Sequence, residues 1–162
     1  MKSLIVYSSQ SGNTKKLAQA IYESLPGTKE MVAVAQAPDP AGYDAVALGF
    51  WLQAGKPDPK STQYLARVGK KPLFLFATHG AAAGSDHARN AMDHARSLAP
   101  DADVIGTYSC QGEVNPKVLD KARSKPEPPV WLADAPDACG HPDEADIEAL
   151  KHQIAQLWEA EN

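Results

Sequence analysis

Ser9-Gln10-Ser11-Gly12-Asn13-Thr14 follows directly on the apolar run Leu4-Ile5-Val6-Tyr7. If that run is a strand that turns through Gly12 into a helix, several unpaired backbone amides and the positive end of the helix dipole point at one small volume. Ser9, Ser11 and Thr14 add hydroxyl donors, and Gly12 lets the backbone approach closely or take a positive φ without steric cost. An anion is the natural occupant, and a terminal phosphomonoester is the best match. A nucleoside triphosphate loop would need Gly, four residues and then Gly-Lys-Ser/Thr, a pattern that neither Lys15 nor Lys16 completes. The dinucleotide fingerprint fails as well, because it needs three glycines at fixed spacing and this turn holds only Gly12. The plain alternative is a strand-to-helix turn in which Ser11 or Asn13 merely caps the helix.

Two cysteines, Cys110 and Cys139, lie in regions of different character and resemble no disulfide framework, so both read as free thiols. Cys110, in Tyr108-Ser109-Cys110-Gln111-Gly112, invites a thiol-enzyme reading with His79 as base. A Cys-x5-Arg phosphatase loop would place arginine at position 116, which is Pro116, and a small buried thiol at a strand end is the better account. Cys139-Gly140-His141 offers two metal ligands, but no clustered motif supplies two more, so no metal is expected.

Strands alternating with helix-period segments must position these residues. The first strand reads from about Ser3 to Ser8, and Leu17, Ala18, Ile21 and Leu25 recur at helical spacing up to Pro26-Gly27. A short second strand is expected from Lys29 to Ala35, a third from Asp44 to Trp51, and a fully buried fourth from Pro72 to Thr78. Leu52 to Lys60 reads as a loop before a short helix near Ser61 to Val68, and Gly80 to Gly84 as a second small-residue loop. Ala88, Ala91, Met92, Ala95 and Leu98 mark the next helix, and Ala102 to Tyr108 a fifth strand. Prolines are dense from Lys125 to Asp143, which predicts an extended surface segment before a final helix with Ile147, Leu150, Ile154 and Leu157 inward.

The 162 residues suit one domain, 1–162, with a sizeable core. Net charge is −4 with both signs interspersed, so neither a nucleic-acid stripe nor a strongly acidic docking face stands out. No apolar stretch could span a bilayer and no leader is evident, which predicts a cytoplasmic protein without a membrane partner, and a monomer. Five strands with intervening helices predict a three-layer α/β/α domain whose ligands bind beyond the carboxyl ends of the strands, where strand order reverses. A phosphorelay receiver would share the architecture, but it needs clustered acids after the first strand and an aspartate ending the third; Ser8-Ser9 and Phe50-Trp51 stand there.

A Thr/Ser-x-Thr/Ser-Gly-x-Thr loop after the first strand, here Ser9 to Thr14, resembles that of the flavodoxin family of FMN-binding electron carriers. The resemblance covers nearly the whole chain by element order, and only the phosphate loop by motif. It implies a five-stranded parallel sheet in the order 2-1-3-4-5 with helices on both faces. It also implies that Ser9, Gln10, Ser11, Gly12, Asn13 and Thr14 hold the FMN phosphate. Phe50, Trp51 and Leu52 after the third strand, with Thr78, His79, Gly80 and Gly84 after the fourth, would then enclose the ring. Trp51 looks like the family's aromatic at the first flavin loop, where an indole packs on the ring.

The chain departs from the family in three places. The loop Thr78-His79-Gly80-Ala81-Ala82-Ala83-Gly84 lacks the usual second aromatic, which implies a less shielded ring face. The charge is far less acidic, and no glycine adjoins Trp51. His79 could sit near the ring edge, where a protonated imidazole would stabilise negative charge on reduced flavin, or be a loop histidine satisfied by backbone. The resemblance implies an electron-transfer protein passing low-potential electrons between a reductase donor and an acceptor enzyme. The alternative is an FMN-dependent oxidoreductase acting directly on a small molecule such as a quinone, and the intact hydroxyl-rich loop argues against a flavin-free interaction module. No catalytic residue is assigned.

Overall fold

The computed structural model describes residues 1–160. Strands β1 (Lys2–Tyr7), β2 (Thr28–Ala33), β3 (Ala45–Gln53), β4 (Lys56–Pro57), β5 (Pro72–His79) and β6 (Asp103–Gln111) alternate with helices α1 (Asn13–Ser24), α2 (Pro59–Leu65), α3 (Asp86–Ser97), α4 (Pro116–Arg123) and α5 (Glu144–Ala160). Five parallel strands run in the order β2-β1-β3-β5-β6, the expected 2-1-3-4-5 arrangement once the two-residue β4 is set aside. That strand pairs antiparallel with the end of β3 through Leu52 opposite Pro57 and Gln53 opposite Lys56. The predicted loop from Leu52 is therefore partly a hairpin, whose turn places Ala54 at φ 52° and Gly55 at φ 76°. A primed two-residue turn has that signature, and its twist matches that of the strands it joins.

Period-two alternation divides the sheet between two cores. Leu4 and Val6, Val46, Leu48 and Phe50, and Leu73 and Leu75 face one way, onto Tyr64 and Leu65 of α2 and Met92 and Ala95 of α3. Ile5, Ala45, Ala47, Phe74 and Phe76 face the other, onto Leu17 and Ile21 of α1 and Leu150, Ile154 and Trp158 of α5. Large and small residues interlock across the second face. Gly49 lies under Phe76, and a Cβ there would fall 2.0 Å from the ring's Cε2. Packing at that density leaves no room for a methyl group.

Three expectations give way to the structure. Strand β6 runs on to Gln111, so Cys110 lies inside it and not after it. A helix missing from the sequence reading, α4, follows Asn115, whose side chain accepts a hydrogen bond from the Lys117 amide just after Pro116. The proline-rich stretch is not extended: Val130–Ala138 forms 3-10 turns that bury Ala135 and Ala138. Prolines there set the tight backbone of those turns and do not stretch the chain.

Helix α5 begins at a reciprocal cap. The Asp146 amide donates to Asp143 Oδ1 and the Asp143 amide to Asp146 Oδ2, both at 2.9 Å. His141 Nδ1 lies 2.6 Å from the same Asp146 Oδ2, and that hydrogen bond raises the His141 pKa above its ordinary value. His141, Asp143 and Asp146 bring three possible ligand atoms within 4.8 Å of one another, without Cys139. The cap accounts for the gathering.

Two outcomes are expected. Gly49→Ala should destabilise the fold by roughly 1–3 kcal/mol or more, because Phe76 is enclosed and cannot step aside; a denaturant midpoint unchanged from wild type would contradict that packing. A raised histidine pKa contributes stability fully present below the unfolded value near 6.5 and lost as pH rises through the folded one. The stability gap between wild type and His141→Gln should thus be wider at about pH 5.5 than at about pH 8.5, and chemical denaturation at both pH values measures it.

Candidate functional site

All five parallel strands end on one side of the molecule, and the order reverses between β1 and β3. The crevice there is where open α/β sheets take ligands. After Tyr7 the chain turns through Gly12 at φ 91°, a left-handed conformation that glycine adopts freely. The Gly12 amide donates to Ser9 Oγ at 3.0 Å. Helix α1 then starts without a side-chain cap, whereas α2, α3 and α4 are capped by Asp58, Ser85 and Asn115. Its first turn holds no acid, and the exposed Lys15 and Lys16 sit at the positive end of the dipole. That end of α1 is electrostatically incomplete without an anion. Neither Ser11 nor Asn13 acts as its cap: the Asn13 side-chain amide donates instead to the Glu113 carbonyl at 3.0 Å, stitching the loop to the end of β6.

Thr14 is 1 % exposed, and its hydroxyl meets that of Thr78 at 2.9 Å. Thr78 in turn stands opposite Trp51 on β3 and Cys110 on β6. Thr14, Thr78 and Trp51 line a cleft of about 640 Å³. Of the residues singled out in the sequence, Ser9, Gln10, Ser11, Asn13, Thr14, Trp51, Leu52, Thr78, His79 and Gly80 line it. Gly12 shapes the loop from behind and does not line the cleft. Phe50 and Gly84 are corrections. Strand alternation turns Phe50 into the α2/α3 core, where it is fully buried, and Gly84 lies exposed outside the cleft lining.

The far wall was not foreseen. Trp131, on the 3-10 segment, reaches the cleft beside Gly80, where an added Cβ would lie 2.7 Å from Val114 Cγ2 and 3.2 Å from the indole. The Ala82 amide donates to Asp134 Oδ2 at 3.2 Å, so the segment carrying Trp131 also ties down the loop after β5. The aromatic missing from that loop is thus supplied from a remote part of the chain. Gly55, His87, Gly112 and Glu113, with Val118, Lys121 and Lys125 at the α4 end, are also among the lining residues. One signal in the sequence pointed to α4: Asn115 before Pro116, a cap followed by the favoured first-turn residue.

His79 is 6 % exposed, and burial holds its pKa below the ordinary histidine value, which favours the neutral imidazole over the cation. Its Nδ1 lies 3.0 Å from the Ala81 carbonyl, which can only accept, so Nδ1 carries the proton. The Cys110 thiol is pushed up to about 12 by burial and by the Asp146 charge, which removes it as a nucleophile. The cleft therefore brings together an uncapped helix start with its neighbouring hydroxyls, two indoles and uncharged polar groups, with Glu113, Lys121 and Lys125 among its charged lining. That inventory suits holding a flat phosphorylated ring.

The flavodoxin domain profile matches residues 4–155. A flavodoxin-like domain-containing protein, BilS, from Clostridioides difficile is 35% identical over 119 residues, 70% of this chain and 68% of that one. Among solved structures, oxidised flavodoxin 1 from Bacillus cereus superposes with a TM-score of 0.66 at 14% identity, covering 98% of each chain. A flavoprotein from Lactobacillus acidophilus in complex with FMN has a TM-score of 0.55 at 21% identity, over 74% of this chain and 97% of that one.

The two hydroxyls on the phosphate-facing loop should separate in a stability measurement. Thr14→Val leaves the buried Thr78 hydroxyl without its partner and should cost about 1–2 kcal/mol, whereas Ser11→Ala, at an exposed position, should stay within about 0.5 kcal/mol of wild type. Equal unfolding midpoints for the two variants would show that the buried pair holds nothing in place.

Proposed function

The chain belongs to the flavodoxin family, and we propose on that premise that it binds one FMN in the cleft and works as an electron-transfer protein between redox partners. The observation that carries this reading is the uncapped N-terminus of α1, set among the hydroxyls of Ser9 and Ser11 at one end of a cleft whose walls include Trp51 and Trp131. Three features of the chain fit the cofactor. First-turn amides and hydroxyls suit a dianionic phosphate. Indoles suit the apolar faces of a fused ring. A buried imidazole nitrogen without a partner, Nε2 of His79, suits the polar edge of such a ring.

Bound FMN supplies a ring that takes up and releases electrons one or two at a time. The residues of the chain hold that ring in place. Thr14 and Thr78 keep the phosphate loop in register with the end of β5, and Asp134 fixes the loop beside Gly80. Trp51 and Trp131 cover apolar surface and exclude water. Val118 and Val130, exposed near the mouth, offer apolar contact to an approaching redox protein.

One observation favours a second reading. The lining of the cleft also takes in Val118, Lys121 and Lys125 from α4 and the residues after it, a wall beside which a small acceptor such as a quinone could enter. An FMN-dependent reductase would use it. Direct oxidation of NADH or NADPH by the FMN-loaded protein with a quinone present distinguishes that enzyme from a carrier.

Titration of the protein with FMN and with riboflavin, followed by tryptophan fluorescence, tests the main reading. FMN should bind tighter by about tenfold or more, since each charge-assisted hydrogen bond to phosphate is worth roughly 1.5–3 kcal/mol. Ser11→Ala should narrow that ratio and leave riboflavin binding unaltered. Equal affinity for the two flavins would remove the phosphate subsite.

A further inference from the structure

His79 carries the one buried acceptor of the cleft that has no partner. Two buried polar side-chain atoms lack partners among the described residues, Ser3 Oγ and His79 Nε2, and only His79 lines the cleft. A buried polar group left unmatched is costly, so such an atom in a binding cleft marks a bond completed by the ligand. The polarity of that bond follows from the other ring nitrogen. The Ala81 carbonyl accepts from Nδ1 at 3.0 Å, and in a neutral imidazole this leaves Nε2 as an acceptor only. The ligand must therefore bring a donor.

We propose that His79 Nε2 accepts a hydrogen bond from a ring N–H of the flavin, and so sets which edge of the ring faces the end of β5. The inference rests on the FMN reading of the cleft. Oxidised isoalloxazine has one ring N–H, at N3, and reduction adds another at N5; its other polar edge atoms are acceptors that would face Nε2 lone pair to lone pair, and its dimethyl edge offers no hydrogen bond at all. A neutral acceptor thus selects the ring edge more sharply than a hydroxyl, which can donate or accept. Burial supports the assignment by holding the imidazole in its neutral form near pH 7. The neighbouring His87 also lines the cleft and opposes a second positive charge beside it. The position is braced from the β6 side: His79 stands opposite Gln111, and the amide of the following Gly112 donates to the His79 carbonyl at 2.9 Å.

The test is nitrogen NMR of the 15N-histidine-labelled protein, with FMN added in the oxidised state and then reduced with dithionite, while flavin absorbance reports saturation. In the free protein His79 should show a protonated Nδ1 and a bare Nε2. On binding, Nε2 should move upfield with Nδ1 unchanged. Movement in the oxidised complex together with a shifted flavin N3 proton assigns N3–H as the donor, and movement only after reduction with a shifted N5 proton assigns N5–H; either upholds the proposal, whereas movement with both ring protons unshifted points to a ribityl hydroxyl and overturns it. An Nε2 signal unmoved in both states at full saturation overturns it, as does protonation of Nε2, and both leave the FMN reading intact. A wild-type protein that takes up no FMN defeats that reading and this inference together. As a second measure, His79→Leu should weaken FMN binding by several-fold to about tenfold, with His79→Gln, whose amide oxygen can accept, recovering part of the loss. A histidine with only a structural role would instead lower the melting temperature of the FMN-free protein in His79→Leu and leave FMN affinity unchanged.

Discussion

The hydrogen bond between the buried hydroxyls of Thr14 and Thr78 joins the first turn of α1 to the last residues of β5. Neither group can be left unpaired where it lies, since a buried hydroxyl without a partner loses its water and gains nothing. The pair therefore sets how far the loop after β1 stands from the loop after β5, and so fixes the length of the cleft between them. Register carries that constraint across the sheet: Thr78 is opposite Trp51 on one side and Cys110 on the other. Fixing Thr14 also points the open end of α1 along the floor of the cleft. The open end of α1 and the β5 end of the cleft are thus tied into one construction.

What was legible in the sequence is what depends on local pattern. Alternation of Leu73, Phe74, Leu75 and Phe76 gave a strand buried on both faces, and those residues do divide between the two cores. Hydroxyls, a glycine and a following helix period located the loop from Ser9 to Thr14. The turn at Ala54 and Gly55 was hidden because alanine at positive φ is an unusual occupant, costing on the order of 1–2 kcal/mol in that conformation. Phe50 was misplaced by its neighbour: adjacency to Trp51 in sequence means opposite faces in a strand. The remote wall was illegible for a different reason. Nothing within the stretch around Trp131 says that its indole reaches Gly80, a contact that exists only because α4 and the 3-10 turns fold back over the β5 end. Local propensity cannot report a contact made by chain closure.

Departures from the family's usual loop acquire a common cause in that wall. A loop of Gly80, three alanines and Gly84 carries no aromatic because Trp131 already occupies the space beside it, and Gly80 has no Cβ because Val114 and the indole leave no room for one. Small residues on the loop and a large residue on the strap are complementary halves of one packing solution. The Ala82 amide then needs a partner that the loop cannot supply, and Asp134 on the same strap provides it.

Charge is kept to the rim. The formally charged side chains lining the cleft are Glu113, Lys121 and Lys125, all exposed, while burial favours the neutral form of His79 within it and of Cys110 in the neighbouring strand. A pairwise charge effect near a protein surface is strongly screened, whereas a hydrogen bond in a closed cleft is not. A ring held there would have its electron affinity set less by nearby ions than by what its edge atoms can pair with and how well its faces are covered. That division suits a carrier. Rim charges act over distance on the approach and orientation of a partner protein, and can change with the partner without disturbing the interior. The interior, built from uncharged groups held by Thr78, Asp134 and the backbone of β6, is insulated from such changes at the rim.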